Sequence, residues 1–287
     1  MRASNLGMDI TQQKRKAQAL LALHRDGDVL VLPNVWDVAS ARIVEEAGYG
    51  ALATTSAGVA FSLGHPDGQK IPPQEMFAAI ARIARAVKVP VTADVESGYG
   101  GGPDAAKSTA LAVIEAGAVG MNLEDSPGES GSPLADLSAQ VEKIRAVREA
   151  AASAGVPIVL NARTDVYLLQ VGEPSSRYDE TVRRLSAYRD AGADCVFAPG
   201  LGDLATIKRL AADLKCPLNI LAGPGSPSIR ELGEIGVARV SLGSSPMRAA
   251  MGSLRRVAQE LKSSGTYESM NDAPTHAEMN QLLKSRD

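Results

Sequence analysis

The chain is poor in the residues that build cross-links and stacking platforms. Two of its 287 residues are cysteine, Cys195 and Cys216. That is too few for a disulfide framework, and no CxxC pair exists for zinc. Aromatics make up 3%, which argues against the base-stacking surfaces of single-strand nucleic-acid binders. The net charge of -3 argues against a basic nucleic-acid face or a polybasic membrane patch. No uncharged apolar run approaches the roughly 20 residues that span a bilayer. The opening MRASNLGMDITQQKRK carries charges with no apolar run behind them, unlike a secretory signal. The expectation is a cytoplasmic protein with neither a membrane nor a nucleic acid as partner.

What the chain does have is short apolar runs alternating with longer amphipathic ones. The runs at 29–33, 50–55, 89–94, 119–124, 157–162, 194–198, 217–221 and 237–242 are rich in Val, Ile and Leu. They read as strands buried on both faces, as in a parallel sheet covered by helices. Helical periodicity falls at 36–47, 73–87, 103–116, 136–154, 176–191, 203–213, 227–235 and 245–262. Five helix ends repeat one pattern, EEAGYG, IEAGAVG, ASAGVP, RDAGAD and GEIGVA. In each, a glycine supplies the left-handed residue that stops a helix just before a strand.

Eight strand-helix units predict a single (β/α)8 TIM barrel of class α/β. An open doubly wound sheet is the alternative. It would usually carry a Gly-x-Gly-x-x-Gly turn after its first strand, where this chain has NVWDVAS. Residues 9–26 predict an extra N-terminal helix. Residues 263–287 predict a linker followed by a C-terminal helix at 272–285, and residues 1–8 are expected to be flexible.

Barrel enzymes place chemistry at the C-terminal ends of their strands. Here those ends carry Thr55-Ser56, Asp94-Val95-Glu96, Glu124-Asp125, Asn161-Ala162-Arg163-Thr164-Asp165 and Asn219. Asp94, Glu96 and Glu124 gather three carboxylates on adjacent strands. Such charges raise one another's pKa unless a cation neutralises them. Oxygen-only ligands favour Mg2+, with Mn2+ as an alternative, over zinc. Arg163 offers a two-pronged donor face to a substrate carboxylate. Taken singly, Asp125 and Asp165 read as helix caps or solvated loop residues. The glycine-rich GPGSPS at 223–228 and SLGSSP at 241–246 also allow a phosphate-binding barrel, but that reading leaves the acids unexplained.

These residues carry a resemblance. LPNVWDVASARI at 32–43, ALATTSAGVAFSLGHPDG at 51–68, ADVESGYGGG at 93–102, NLED at 122–125 and NARTD at 161–165 resemble the isocitrate lyase/phosphoenolpyruvate mutase superfamily, in order and over nearly the whole length. The resemblance implies a Mg2+ centre that chelates a small 2-oxo acid. It also implies a homotetramer, a dimer of dimers with C-terminal helices exchanged between subunits. By motif, Asp94 is the direct metal ligand, and Glu96 and Glu124 hold metal-bound waters. Asp67 stands near the reacting bond. Thr55 and Ser56 hold the substrate carboxylate or oxyanion, and Arg163 binds substrate. Trp36 and Asn219 are further candidates for the substrate pocket.

Two departures narrow this. The Lys-Lys-Cys-Gly-His loop of the carbon–carbon lyases is replaced by SPGESGSPLAD at 126–136, without Cys, His or Lys. Where relatives carry a Glu or His, this chain reads Ala198-Pro199-Gly200. The expected activity is therefore metal-assisted cleavage at C3 of a 2-oxo acid, by oxaloacetate-like decarboxylation or C–C cleavage, with no catalytic cysteine. The alternatives are a mutase or hydrolase acting on a P–C bond, and a 2-oxo acid binding protein without catalysis.

Overall fold

The structure is a computed structural model that describes residues 9–127 and 132–284. The segment 1–8 lies outside the described residues, as does 128–131 within the cysteine-free loop. In chain order the strands are β1 (Leu30–Leu32), β2 (Asn34–Val35), β3 (Leu52–Thr54), β4 (Val91–Asp94), β5 (Gly120–Glu124), β6 (Val159–Arg163), β7 (Cys195–Phe197), β8 (Leu218–Leu221) and β9 (Arg239–Ser241). All their pairings are parallel, in the order β1-β9-β8-β7-β6-β5-β4-β3-β2.

The eight expected strands thus appear as nine segments of one barrel. The extra segment comes from Pro33. It divides the first strand into β1, which pairs with β9, and β2, which pairs with β3. Proline has no N–H to give to the ladder, so the strand breaks there. The chain continues through the break, and that continuity closes the barrel.

The helices are α1 (Ile10–Leu23), α2 (Val38–Glu46), α3 (Ser56–Ser62), α4 (Pro73–Ala86), α5 (Gly102–Glu115), α6 (Leu137–Ala154), α7 (Arg177–Asp190), α8 (Leu204–Leu214), α9 (Ile229–Glu234), α10 (Ser245–Ser263) and α11 (His276–Leu283). The five glycines of the repeated helix ends, Gly48, Gly117, Gly155, Gly192 and Gly236, all have positive φ. Helix α3 departs from the sequence reading, which took the whole 51–68 stretch as strand end and motif. Thr55 stands at its N-cap and accepts from Gly58 N–H, which starts the helix directly at the barrel mouth.

Helix α1 closes the other end. Its buried side chains Gln13, Ala17 and Leu20 lie on one helical face. Gln13 donates to the carbonyls of Ile114 and Ala118. Leu20 enters so closely that a Cβ on Gly120 would stand 2.9 Å from its Cδ2 and 2.9 Å from Thr92 Oγ1. Only glycine fits there. At the C-terminus, α11 docks on its own chain's α2, where Arg42 donates to the carbonyls of Leu282 and Lys284. A cation at a helix C-terminus is favourably placed. Helix α10 is different, since it buries Met247 and leaves Met251, Leu254 and Leu261 exposed. No described helix is long and apolar enough to cross a membrane.

His24, at the C-cap of α1, is buried beneath the barrel at 4% exposure. Its Nδ1 faces the Leu20 carbonyl at 2.7 Å. Burial, and then the Arg239 charge, lower its pKa from 6.5 to about 4. The unfolded chain takes a proton on His24 near pH 6.5, but the native chain does so only near pH 4. Stability should therefore fall as pH drops through that window, by roughly 3 kcal/mol, and lose nothing further from His24 below it. Urea unfolding at pH 7.0, 5.5 and 4.5 checks this. His24→Gln is expected to flatten the dependence.

Candidate active site

The last residues of β4, β5 and β6 bring the predicted acids and Arg163 to one mouth. Asp94 and Asn122 are register partners across β4 and β5, and Glu124 and Arg163 across β5 and β6. Asp94 is buried, and Ser56 holds its Oδ2 by N–H at 3.0 Å and O–H at 2.7 Å. The Ser56 donors expected to face substrate are thus turned onto Asp94, while the Thr55 hydroxyl caps α3.

Arg163 is clamped between acids. Its Nη1 meets Glu124 Oε2 at 2.8 Å. Its Nε and Nη2 reach Asp165 Oδ1 at 2.6 Å and Oδ2 at 3.1 Å, a bidentate fork. Its guanidinium stands 5.7 Å from the centroid of the Phe197 ring. Burial works against its charge, but Glu124 and Asp165 hold its pKa up. Asp165 is therefore a counter-ion within the site and not a solvated cap.

The loop after β4 is unusual. Glu96 and Tyr99 both have positive φ, 52° and 49°, which is costly for side chains with a Cβ. Three contacts pin it. Lys143 Nζ donates to the Ser97 carbonyl at 3.1 Å, Thr109 Oγ1 donates to the Gly98 carbonyl at 2.7 Å, and Gln69 Nε2 donates to Ser97 Oγ at 2.8 Å. Tyr99 meets Phe77 edge to face at 5.6 Å.

This loop holds Glu96 under the mouth. Burial, then the charges of Asp94 and Asp67, push its pKa up to about 8. Asp67 itself is exposed on the loop between α3 and α4, so the structure brings it to the rim of the cluster. Burial also pushes Glu124 up, against the pull of Arg163. Crowded, partly desolvated carboxylates are the environment a hard divalent cation relieves. The donor set, all oxygen, fits Mg2+. Among the described residues no three His, Cys, Asp or Glu side chains are grouped to enclose an ion by themselves. One direct ligand with the other acids holding waters does not need such a group.

Trp36 and Asn219 are the two remaining candidates for the substrate pocket. Trp36 lines a surface groove of about 510 Å³ with Val38, Leu63 and Ile83. Asn219 is fully buried in β8 and bonds to Ser241. Burial pushes the Cys195 thiol up to about 12 and the Cys216 thiol up to about 11, so neither is poised for acid-base work.

Sequence reasoning missed a second buried acid centre behind the mouth. Asp125 is not a cap or a solvated residue. It is 1% exposed and accepts from Thr164 Oγ1 at 2.6 Å, Asp165 N at 3.0 Å, Tyr188 Oη at 2.7 Å and Arg184 Nη1 at 3.2 Å. Arg184 also donates to the Ala135 carbonyl. That network ties the end of the cysteine-free loop to β6 and α7. Period-two alternation along β5 was the available signal. With Glu124 facing the mouth, Asp125 must face the other way.

In metal-free buffer the Glu96 carboxyl is expected to cost stability as pH rises. The unfolded chain ionises it near 4.5 and the native mouth near 8, so stability is lost across that interval. Glu96→Gln should therefore raise the melting temperature at pH 8 without divalent ions. Mg2+ should raise it for the wild type. Thermal scans with EDTA and with Mg2+ check both. A lower melting temperature for Glu96→Gln at pH 8 would contradict the account.

The chain is similar to known proteins along most of its length. The family model for phosphoenolpyruvate phosphomutase matches residues 20–262. A crystal structure from Burkholderia cenocepacia J2315, provisionally described as a lyase/mutase, is 39% identical. It superposes with a TM-score of 0.90 over 96% of this chain and 98% of that one. An oxaloacetate decarboxylase from Ectopseudomonas mendocina (strain ymp) is 34% identical, over 76% of this chain and 74% of its own. An oxaloacetate acetylhydrolase in complex with the product oxalate is 26% identical with a TM-score of 0.82, over 93% of each chain. The chain belongs to the phosphoenolpyruvate phosphomutase family and is an enzyme of the isocitrate lyase/phosphoenolpyruvate mutase superfamily.

Proposed function

We propose that the chain is a Mg2+-dependent lyase or hydrolase that cleaves a bond at C3 of a small 2-oxo acid, as in oxaloacetate-like decarboxylation or C–C cleavage. The observation that carries this reading is the crowded carboxylate mouth, with Glu96 pushed up to about 8 and Arg163 held charged between Glu124 and Asp165. The oxaloacetate decarboxylase and the oxaloacetate acetylhydrolase support it as relatives.

Asp94 would hold Mg2+ or Mn2+ directly, with Glu96 and Glu124 on its waters. When bound there, such an ion would supply Lewis-acid polarisation of a 2-oxo group. The remaining work falls to the chain. Arg163 presents a fixed cationic face to a substrate carboxylate. Thr55 and Ser56 start α3 at the same mouth, where Ser56 holds Asp94 with both of its donors. Asp67, at the rim, positions water or takes a proton. No cysteine is needed, which suits both thiols being raised.

A second reading, cleavage or rearrangement of a P–C bond, is favoured by the family model itself. Phosphorus NMR with phosphonopyruvate separates the two. We also propose a homotetramer, because the exposed stripe Met251, Leu254 and Leu261 on α10 is the kind of apolar surface that another subunit covers.

The test is a Mg2+-dependent screen of 2-oxo, 2-hydroxy and phosphono acids, read by release of pyruvate or oxalate. Turnover of an oxaloacetate-like acid is expected, with a loss of at least about a hundredfold in Asp94→Ala. Undiminished turnover in that variant would refute the site. Saturating 2-oxo acid binding without product over hours would refute catalysis. Light scattering is expected to give four chains, and Leu254→Asp to give smaller species. A wild-type monomer would refute the assembly.

A further inference from the structure

Beneath the acids, the barrel interior holds a polar column that the reading above leaves unused. Asn122 lies in β5, level with Asp94 on one side and Asn161 on the other. Its Nδ2 donates to Asp94 Oδ1 at 3.4 Å. Its Oδ1 accepts from Asn161 Nδ2 at 2.8 Å and from Arg239 Nη2, across the barrel, at 3.3 Å. Both donors fall on the one oxygen. An amide has one acceptor end and one donor end, so Asn161 and Arg239 together dictate which way Asn122 points. Its NH2 must face Asp94.

Arg239 is an expensive part of this column. It is fully buried, and its Nε and Nη1 have no hydrogen-bond partner. Among the described residues its one side-chain hydrogen bond goes to Asn122. A buried guanidinium without a direct carboxylate partner is costly to keep. Simple core filling would use Leu, Ile or Val at such a position. What the charge obtains in return is a hydrogen-bonded path to Asp94.

With Ser56 on Oδ2 and Asn122 on Oδ1, both oxygens of Asp94 are held by donors from the protein. We propose that Asn122 is a positioning residue for Asp94, and that Asn161 and Arg239 act through it by fixing its amide. The inference rests on the reading of Asp94 as the metal ligand. Partners that hold a ligating carboxylate typically matter ten- to a hundredfold in metal affinity.

The test uses Mn2+ as the probe, with the free ion counted by electron paramagnetic resonance. It compares wild type, Asn122→Ala, Arg239→Met and the double variant. Asn122→Ala is expected to weaken Mn2+ binding by about tenfold or more, and to lower the melting temperature because it leaves the buried Arg239 and Asn161 donors without their acceptor. Arg239→Met changes two things at once, removing a charge that repels the ion and releasing the clamp on Asn122. The charge effect is the same in both backgrounds, whereas the clamp exists only where Asn122 is present. Arg239→Met should therefore be at least about fivefold more harmful in the wild-type background than in Asn122→Ala. Equal factors in the two backgrounds would overturn the role of Arg239. Wild-type affinity in Asn122→Ala would overturn the whole proposal. Asn122→Ser and Arg239→Lys carry the same comparison if a first variant does not fold. Asp94→Ala separates the two levels of the argument. If it binds Mn2+ as the wild type does, the metal reading has failed. If it loses Mn2+ while Asn122→Ala keeps it, only the positioning role has failed.

Discussion

The repulsion between carboxylates buried side by side is the constraint from which the mouth of this barrel follows. Asp94 ends β4, Glu96 follows two residues later, and Glu124 arrives on the next strand. Left alone in a low-dielectric mouth, such groups would take up protons. The structure instead spends several devices on holding them. Arg163 is shared between Glu124 and Asp165. Ser56 gives two donors to Asp94. A loop with Glu96 and Tyr99 at positive φ is pinned from behind by Lys143 and Thr109. Under the proposed function, a divalent cation would balance this strain and like charge.

The barrel supports this in layers. Leu20 of α1 and Gly120 seal the base, and a polar column runs upward from Arg239 through Asn122 to Asp94. Apolar side chains on the alternate faces, such as Met121, Leu123 and Leu160, fill the core. Each strand therefore works on both faces, with the outer one for stability and the inner one for chemistry. The Asp125 network behind the mouth joins β5, β6 and α7. It fixes the base of the loop that replaces the lyase cysteine motif.

Much of this was legible in the sequence, because strand runs, glycine-stopped helices and acids at strand ends are local signals. The closure through Pro33 was not read, since a proline inside one apolar run gives no hint of which neighbour each half pairs with. Helix α3 was hidden inside a stretch taken whole as a motif. Thr55 is nevertheless a residue type favoured at an N-cap. Asp125 could have been told from Glu124 by alternation. Arg239 could not have been placed, because its partner Asn122 is 117 residues away and only barrel closure brings them together. Likewise, nothing local says that Ser56 turns its donors onto Asp94.

The central claim is that Asp94 holds a divalent cation that the other acids surround. Crystals soaked in Mn2+ and measured for anomalous scattering test it most directly. The account predicts one strong peak at about 2.1 Å from an Asp94 carboxylate oxygen, with Glu96 and Glu124 reached through water. A peak elsewhere in the barrel, or none at the mouth under saturating Mn2+, would contradict it.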